Sequence, residues 1–300
     1  MPEQSAEEIL DANVRYHDLA SRSYDSKWGI DFGDKGAQQV LSKMRKALGQ
    51  PLRPMGRGLE IGAGTGYFSL NLLRQGILSD VTCTDVSPGM LEALSESADR
   101  LHLDVDTALC DAENLPFENN SFDVVFGHAV LHHIPDLERA FSEFRRVLKP
   151  GGLVVFCGEP SRTGDRLAGY PKRAALALAP VWRRAMGARR HGGADGSWGK
   201  DEEAELEPHV DVHAFAPQDL AEAARAGGFT NVRIRGEELA ASWFGWANRT
   251  LESTAEPSDV PWLWRRYAFH GYLVLQRVDR ALLEPYLPPA IFYNLLISAS

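Results

Sequence analysis

Residues 56–70 read GRGLEIGAGTGYFSL. An apolar run carries an acid, Glu60, near its end and passes into a turn where Gly62, Gly64 and Gly66 alternate with small residues. An apolar, helix-like stretch follows. Glycine reaches backbone conformations closed to other residues and lets a ligand approach the main chain directly. Strand, glycine-rich turn and helix in that order form a crevice at the C-terminal edge of a parallel sheet. The next apolar run, VTCTD, ends in a second acid, Asp85. Its two oxygens, acceptors only when ionised, suit a pair of ribose hydroxyls. The pattern predicts a nucleotide-type pocket.

The glycine spacing separates the candidate nucleotides. A dinucleotide crevice uses G-x-G-x-x-G with an acid about 20 residues on. This chain has G-x-G-x-G, and Asp85 fits the ribose under either reading. A pyrophosphate sits on a helix N-terminus because amide N–H groups and the helix dipole favour an anion. An acid at the head of the loop favours instead a ligand with a cationic end. Glu60 therefore points to S-adenosylmethionine, whose methionine end carries an ammonium and a sulfonium.

Two downstream blocks agree: LCDAENLPFENNSFDVVFGHAVLHHIPD at 109–136 and FSEFRRVLKPGGLVVF at 141–156. With these the chain resembles the class I S-adenosylmethionine-dependent methyltransferases, closest to the small-molecule branch of ubiquinone/menaquinone-type and natural-product O-methyltransferases. The likeness is strong over 55–157 and weak over 212–235. It implies an α/β, Rossmann-like, doubly wound sheet of seven strands, mostly parallel, with an antiparallel last strand between the fifth and sixth. It also implies cofactor contacts. Glu60 would orient the methionine end, Gly62, Gly64 and Gly66 would underlie it, and Asp85 would hold the ribose. Met90 would pack on the adenine, Val86 would also contact the cofactor, and Asp111 with Ala112 would read the adenine amino group. His128 would border the cofactor.

Hydrophobic periodicity places the elements. Residues 5–28 and 36–48 read as helices, and 57–62, 80–85, 105–110 and SFDVVFG at 121–127 as strands. Leu137, Ala140, Phe141, Phe144 and Val147 share one helical face, with KPGG as the stop. GLVVFCG follows as strand five. The alternation breaks over 160–211 and 240–290, and between them 217–227 reads as a helix and TNVRIRG as a strand. The last strand lies in IFYNLLISAS. We read a single methyltransferase domain over 1–300, with an N-terminal helical lid at 1–50 and insertions at 160–211 and 240–290. The glycine, charge and low aromatic content of 187–211 predicts a mobile loop.

Composition narrows the partners. The 300-residue chain is 44% hydrophobic and carries a net charge of −9, which argues against nucleic acid, since phosphate binding needs clustered Lys and Arg. No apolar run is long enough to span a bilayer. MPEQSAEEIL is acidic and polar, unlike a secretory signal, so the expectation is a cytoplasmic protein. Cys83, Cys110 and Cys157 fit reduced thiols in a cytosolic core. Residues 162–190 are basic with interleaved apolar residues, a pattern suited to peripheral membrane contact. Nothing in the sequence sets an oligomeric state.

The chemistry implied is in-line displacement at a sulfonium carbon, where alignment supplies most of the catalysis. A hydroxyl acceptor needs a base. His132 and His133 leave strand four and Glu159 leaves strand five, so these three are the candidate catalytic residues. His128 and His132 are four apart, a spacing that puts two imidazoles on one face of a helix. A metal site would need further ligands that the sequence does not offer. The favoured acceptor is a small hydrophobic molecule such as a polyketide, isoprenoid quinone, lipid or glycosylated lipid. C- or N-methylation, a non-catalytic S-adenosylmethionine-binding protein and, more remotely, a nicotinamide oxidoreductase stay open.

Overall fold

The computed structural model describes residues 6–22, 24–25, 29–191, 210 and 213–300. Two compact units emerge. The first holds residues 1–159, 202–235 and 296–300, and the second holds 160–201 and 236–295. The two interruptions of the strand–helix alternation thus supply most of the second unit.

In the first unit, α1 (Ala6–Ala20) and α2 (Asp34–Leu48) precede the sheet. The helix expected over 5–28 ends at Ala20. α2 stops at Gly49, whose φ of 67° lets its N–H close back on the Arg45 carbonyl. β1 (Arg57–Ile61), α3 (Tyr67–Arg74), β2 (Asp80–Asp85), α4 (Pro88–Leu101) and β3 (Asp106–Leu109) follow in strict alternation. β4 (Phe122–His128) leads to α5 (Leu137–Val147) and β5 (Leu148–Pro160). KPGG, read as a helix stop, lies inside β5, because α5 passes directly into strand at Leu148. After the gap in the described residues come α7 (Pro217–Ala226), β6 (Arg233–Glu237) and β7 (Asn294–Ala299), α6 belonging to the second unit.

The sheet has seven strands in the order β3-β2-β1-β4-β5-β7-β6, and β1, β2, β3, β4 and β5 pair in parallel. β7 lies between β5 and β6, as the resemblance implies. The order reverses direction at β1 and β4, so their C-terminal ends open the crevice in which such sheets bind ligands. Phe126, Val155, Phe68 and Leu94 are fully buried in the core beneath it. On α5, Phe141 and Phe144 are also fully buried, and Asp136 caps the helix by accepting from the Arg139 N–H at 3.0 Å. Removing such a cap costs about 1 kcal/mol.

In the second unit, α6 (Arg162–Met186) starts at Ser161, whose hydroxyl accepts from the Gly164 N–H at 2.8 Å. α8 (Ala240–Ser253) is capped from a distance in sequence: Asp279, fully buried, accepts the Ala240 and Ala241 N–H groups, each at 2.9 Å. α9 (Trp262–Val278) packs on α6 through the edge-to-face pair Trp182–Trp264, with ring centroids 5.2 Å apart. No helix among the described residues is long and apolar enough to cross a membrane. The 187–211 loop expectation falls mostly on 192–209 and 211, outside the described residues.

Candidate functional site

The glycine turn after β1 has Gly62, Gly64 and Gly66 all at positive φ, 60°, 52° and 89°. Each has its own reason. A Cβ on Gly62 would fall 2.3 Å from a Val130 methyl, so packing forbids it. A Cβ on Gly64 would meet nothing within 4 Å, so the space above it is open to a ligand. Gly66 is the N-cap of α3 and offers no side chain to that helix. Glu60 fills that need: its carboxylate accepts from the Ser69 N–H at 3.1 Å in the first turn of α3. Burial pushes the Glu60 carboxyl up to about 8, with the Ser69 hydrogen bonds opposing.

A cavity of about 300 Å³ opens over this turn. Gly62, Gly64, Asp85, Val86, Met90, Asp111, Ala112, His128 and His133 line it. Glu60, Gly66, His132 and Glu159 are not among the lining residues. Asp85 accepts from the Gly64 N–H at 2.8 Å and the Ser87 N–H at 3.0 Å. With about four lone-pair sites on its two oxygens, the carboxylate keeps acceptor capacity for a further donor. Burial raises the Asp85 carboxyl above its ordinary value, and nearby His17 opposes the shift.

The N-terminal helix closes one side. Asp18 accepts from the Ser87 hydroxyl and, at 3.0 Å, from the Gly89 N–H at the start of α4. Asp25 accepts from the Thr65 hydroxyl at 2.6 Å. These bonds bring Leu10, Asn13, His17 and Tyr24 to the cavity wall. Tyr16 instead is buried with Ala12 and Val210.

Past β4 the chain turns sharply at Ala129, a non-glycine residue at φ 53°. Residues held in such strained conformations mark sites that the surroundings over-determine. Glu159, fully buried, supplies that constraint. One oxygen accepts the Val130 and Leu131 N–H groups at 3.0 and 3.1 Å, and the other the His132 N–H at 3.2 Å. The second oxygen also lies 2.8 Å from His132 Nδ1, where the carboxylate makes that nitrogen the donor. The turn Leu131–His133 is a single 3₁₀ turn, so His128 in β4 and His132 do not share a helical face. His128 stacks on Phe68 with centroids 4.7 Å apart.

His133 is the member of the trio that reaches the cavity from this turn. Its Nδ1 lies 2.8 Å from the Val210 carbonyl, which can only accept. The proton therefore sits on Nδ1, and Nε2 keeps its lone pair. Burial, then His132 and His17, hold the His133 imidazole well below 6.5 and thus neutral. The His17 ring stands edge-on to it at 5.4 Å. Val210 carried no sequence signal, because it contributes a backbone carbonyl. Among the described residues no group of three His, Cys, Asp or Glu side chains could hold a metal ion.

Fold and site together define an α/β protein with a nucleotide-type crevice at the switch point of its sheet. Residues 59–156 match the family described as "Methyltransferase domain". The ubiquinone/menaquinone biosynthesis C-methyltransferase UbiE of Ralstonia pickettii (strain 12J) is 39% identical over 145 residues, 47% of this chain and 56% of that protein. The chain thus spans about half the length of that relative. A malonyl-[acyl-carrier protein] O-methyltransferase of Methylococcus capsulatus is 28% identical over 231 residues, covering 72% of this chain and 70% of that one. Among solved structures, Haemonchus contortus phosphoethanolamine N-methyltransferase 2 in complex with S-adenosyl-L-methionine aligns with a TM-score of 0.58 and 20% identity, over 99% of this chain and 60% of that chain. At that identity the likeness speaks for the fold.

Proposed function

We propose that this chain is an S-adenosylmethionine-dependent methyltransferase acting on a hydroxyl of a small, apolar acceptor, with His133 as general base. The cofactor fits the residues present. Asp85 has acceptor capacity left for ribose hydroxyls, and Gly64 opens space beside it. Val86 and Met90 offer an apolar bed for adenine, and Asp111 an acceptor for its amino group. Glu60 acts from behind the loop: its carboxyl caps α3 and, once ionised beside a cationic ligand end, offsets the positive helix N-terminus, which favours that end over a phosphate. When bound, the cofactor supplies a methyl group on a good leaving group. The chain's own residues then align the acceptor and take its proton.

The observation that carries the reading is the His133–Val210 contact. It presents a neutral imidazole at the cavity wall with its proton on Nδ1, the state in which histidine accepts a proton. Glu159 and His132 do not reach the cavity and act as positioning residues, holding the turn that aims His133. Leu10, Val130, Ile134 and Pro135 give the same wall an apolar surface, which suits polyketide, quinone, lipid or glycosylated-lipid acceptors. Cys83, Cys110 and Cys157 are thiols and not disulfides, which suits a reducing, cytoplasmic setting. The relatives' names span C-, O- and N-methylation, so the oxygen acceptor rests on the base alone.

The test is a mass-spectrometric screen of such acceptors for a methyl gain, followed by His133→Ala. The variant should keep cofactor affinity and lose turnover by about 10²–10⁴-fold. Unchanged turnover on the true acceptor would leave alignment alone as the mechanism.

A further inference from the structure

Fourteen large apolar side chains stand well exposed among the described residues, and all but Leu19 and Leu109 belong to the second unit. They concentrate on its helices α6 and α9. On α6 the buried positions Gly164, Ala168, Ala175, Ala179 and Trp182 form the inward face. Leu176 flanks that face on one side and Leu178 and Val181 on the other, and they are 55%, 61% and 69% exposed. On α9 no residue is fully buried, and Trp262 and Leu263 are 64% and 71% exposed. The two helices meet at Trp182 and Trp264. The residues directly before those tryptophans, Val181 and Leu263, are exposed, so apolar side chains edge the seam. Exposed patches of this kind mark interaction surfaces.

The charge on the same helices identifies the partner. α6 carries Arg162, Arg166, Lys172, Arg173, Arg183 and Arg184 against one acid, Asp165. α9 carries Arg265, Arg266 and Arg277 and no acid. This is a local basic excess in a chain of net charge −9. Arg266 lies over the Trp262 ring at 4.7 Å. Arginine stems that lie along apolar surface with charged heads reaching outward, beside tryptophan and tyrosine, are the composition of helices lying in a bilayer interface.

We propose that the α6–α9 face of the second unit docks on an anionic lipid bilayer, with its apolar residues among the acyl boundary and its arginines at lipid phosphates. The inference stands apart from the methyl-transfer reading, because docking requires neither cofactor nor acceptor.

Vesicle flotation of the full chain tests it. The protein should float with phosphatidylcholine vesicles containing phosphatidylglycerol, and sediment with pure phosphatidylcholine. High salt should weaken the binding. Arg173→Glu with Arg184→Glu should lower the partition by about 30-fold or more. Leu178→Ser with Leu263→Ser should lower it by about tenfold or more, with an unchanged melting temperature showing that the fold is intact. Three results would overturn the proposal: no flotation with anionic vesicles, equal flotation on neutral ones, or a dimer in light scattering that the leucine variants dissociate while flotation is unaffected.

Discussion

His133 shows how one backbone contact sets a side chain's chemistry. The Val210 carbonyl fixes the tautomer, and burial fixes the charge. Because the imidazole is held below its ordinary value, it is a competent base on the neutral side and loses that competence only on acidification. The rate should therefore be flat through neutrality and fall at a pH well below 6.5, and His133→Gln should abolish that acid limb. A limb centred at or above the ordinary histidine value would contradict the geometry. Glu60 titrates with the opposite sign. Its folded-state value of about 8 lies above the ordinary 4.5, so its stabilising contribution is full below 4.5 and is lost as pH rises through 8. Glu60→Gln should match the wild type in urea stability at about pH 5 and exceed it at about pH 9. A cationic ligand end should draw the carboxyl to its ionised form. Cofactor binding near neutral pH should then release a proton, read as a buffer-dependent heat in calorimetry that Glu60→Gln loses.

The glycine turn and the turn after β4 are the elements that make the cavity, and the sequence disclosed them unequally. Gly62, Gly64 and Gly66 announced a tight loop by spacing alone. Their separate duties emerge only when Val130 is seen over Gly62 and open space over Gly64. Gly64→Ala should cost about 1–2 kcal/mol of stability from its left-handed backbone, yet remove cofactor binding because the new methyl enters the crevice. Gly62→Ala should cost more stability, since the methyl must also displace Val130. Equal melting temperatures with unequal binding would contradict this division. The LHH segment was legible as a histidine cluster, but side-chain spacing could not show that Glu159 organises the turn through three backbone N–H groups. Nor could it show that His132 lies behind the cavity wall. Glu159→Gln puts an amide against donors where an acceptor is needed. It should lower both stability and turnover, with little change in cofactor affinity.

For the whole molecule, the first unit follows from local pattern: alternating strands and helices over 57–160 dictate a parallel sheet, and the long apolar β4 dictates a central, doubly covered strand. The second unit was far less legible. α6 and α9 are separated in sequence by residues of the first unit and are joined by α8, which packs on both, and by the Trp182–Trp264 pair. Interleaved basic and apolar residues at 162–190 signalled an unusual surface without showing which side chains stand outside. The central claim is that the crevice over Gly64 and Asp85 holds S-adenosylmethionine. Isothermal calorimetry with S-adenosylhomocysteine tests it most directly. Saturable binding is predicted for the wild type, with Asp85→Ala weakening it by about 1–3 kcal/mol and NADH giving no heat. Tight NADH binding without any S-adenosylhomocysteine signal would contradict the account.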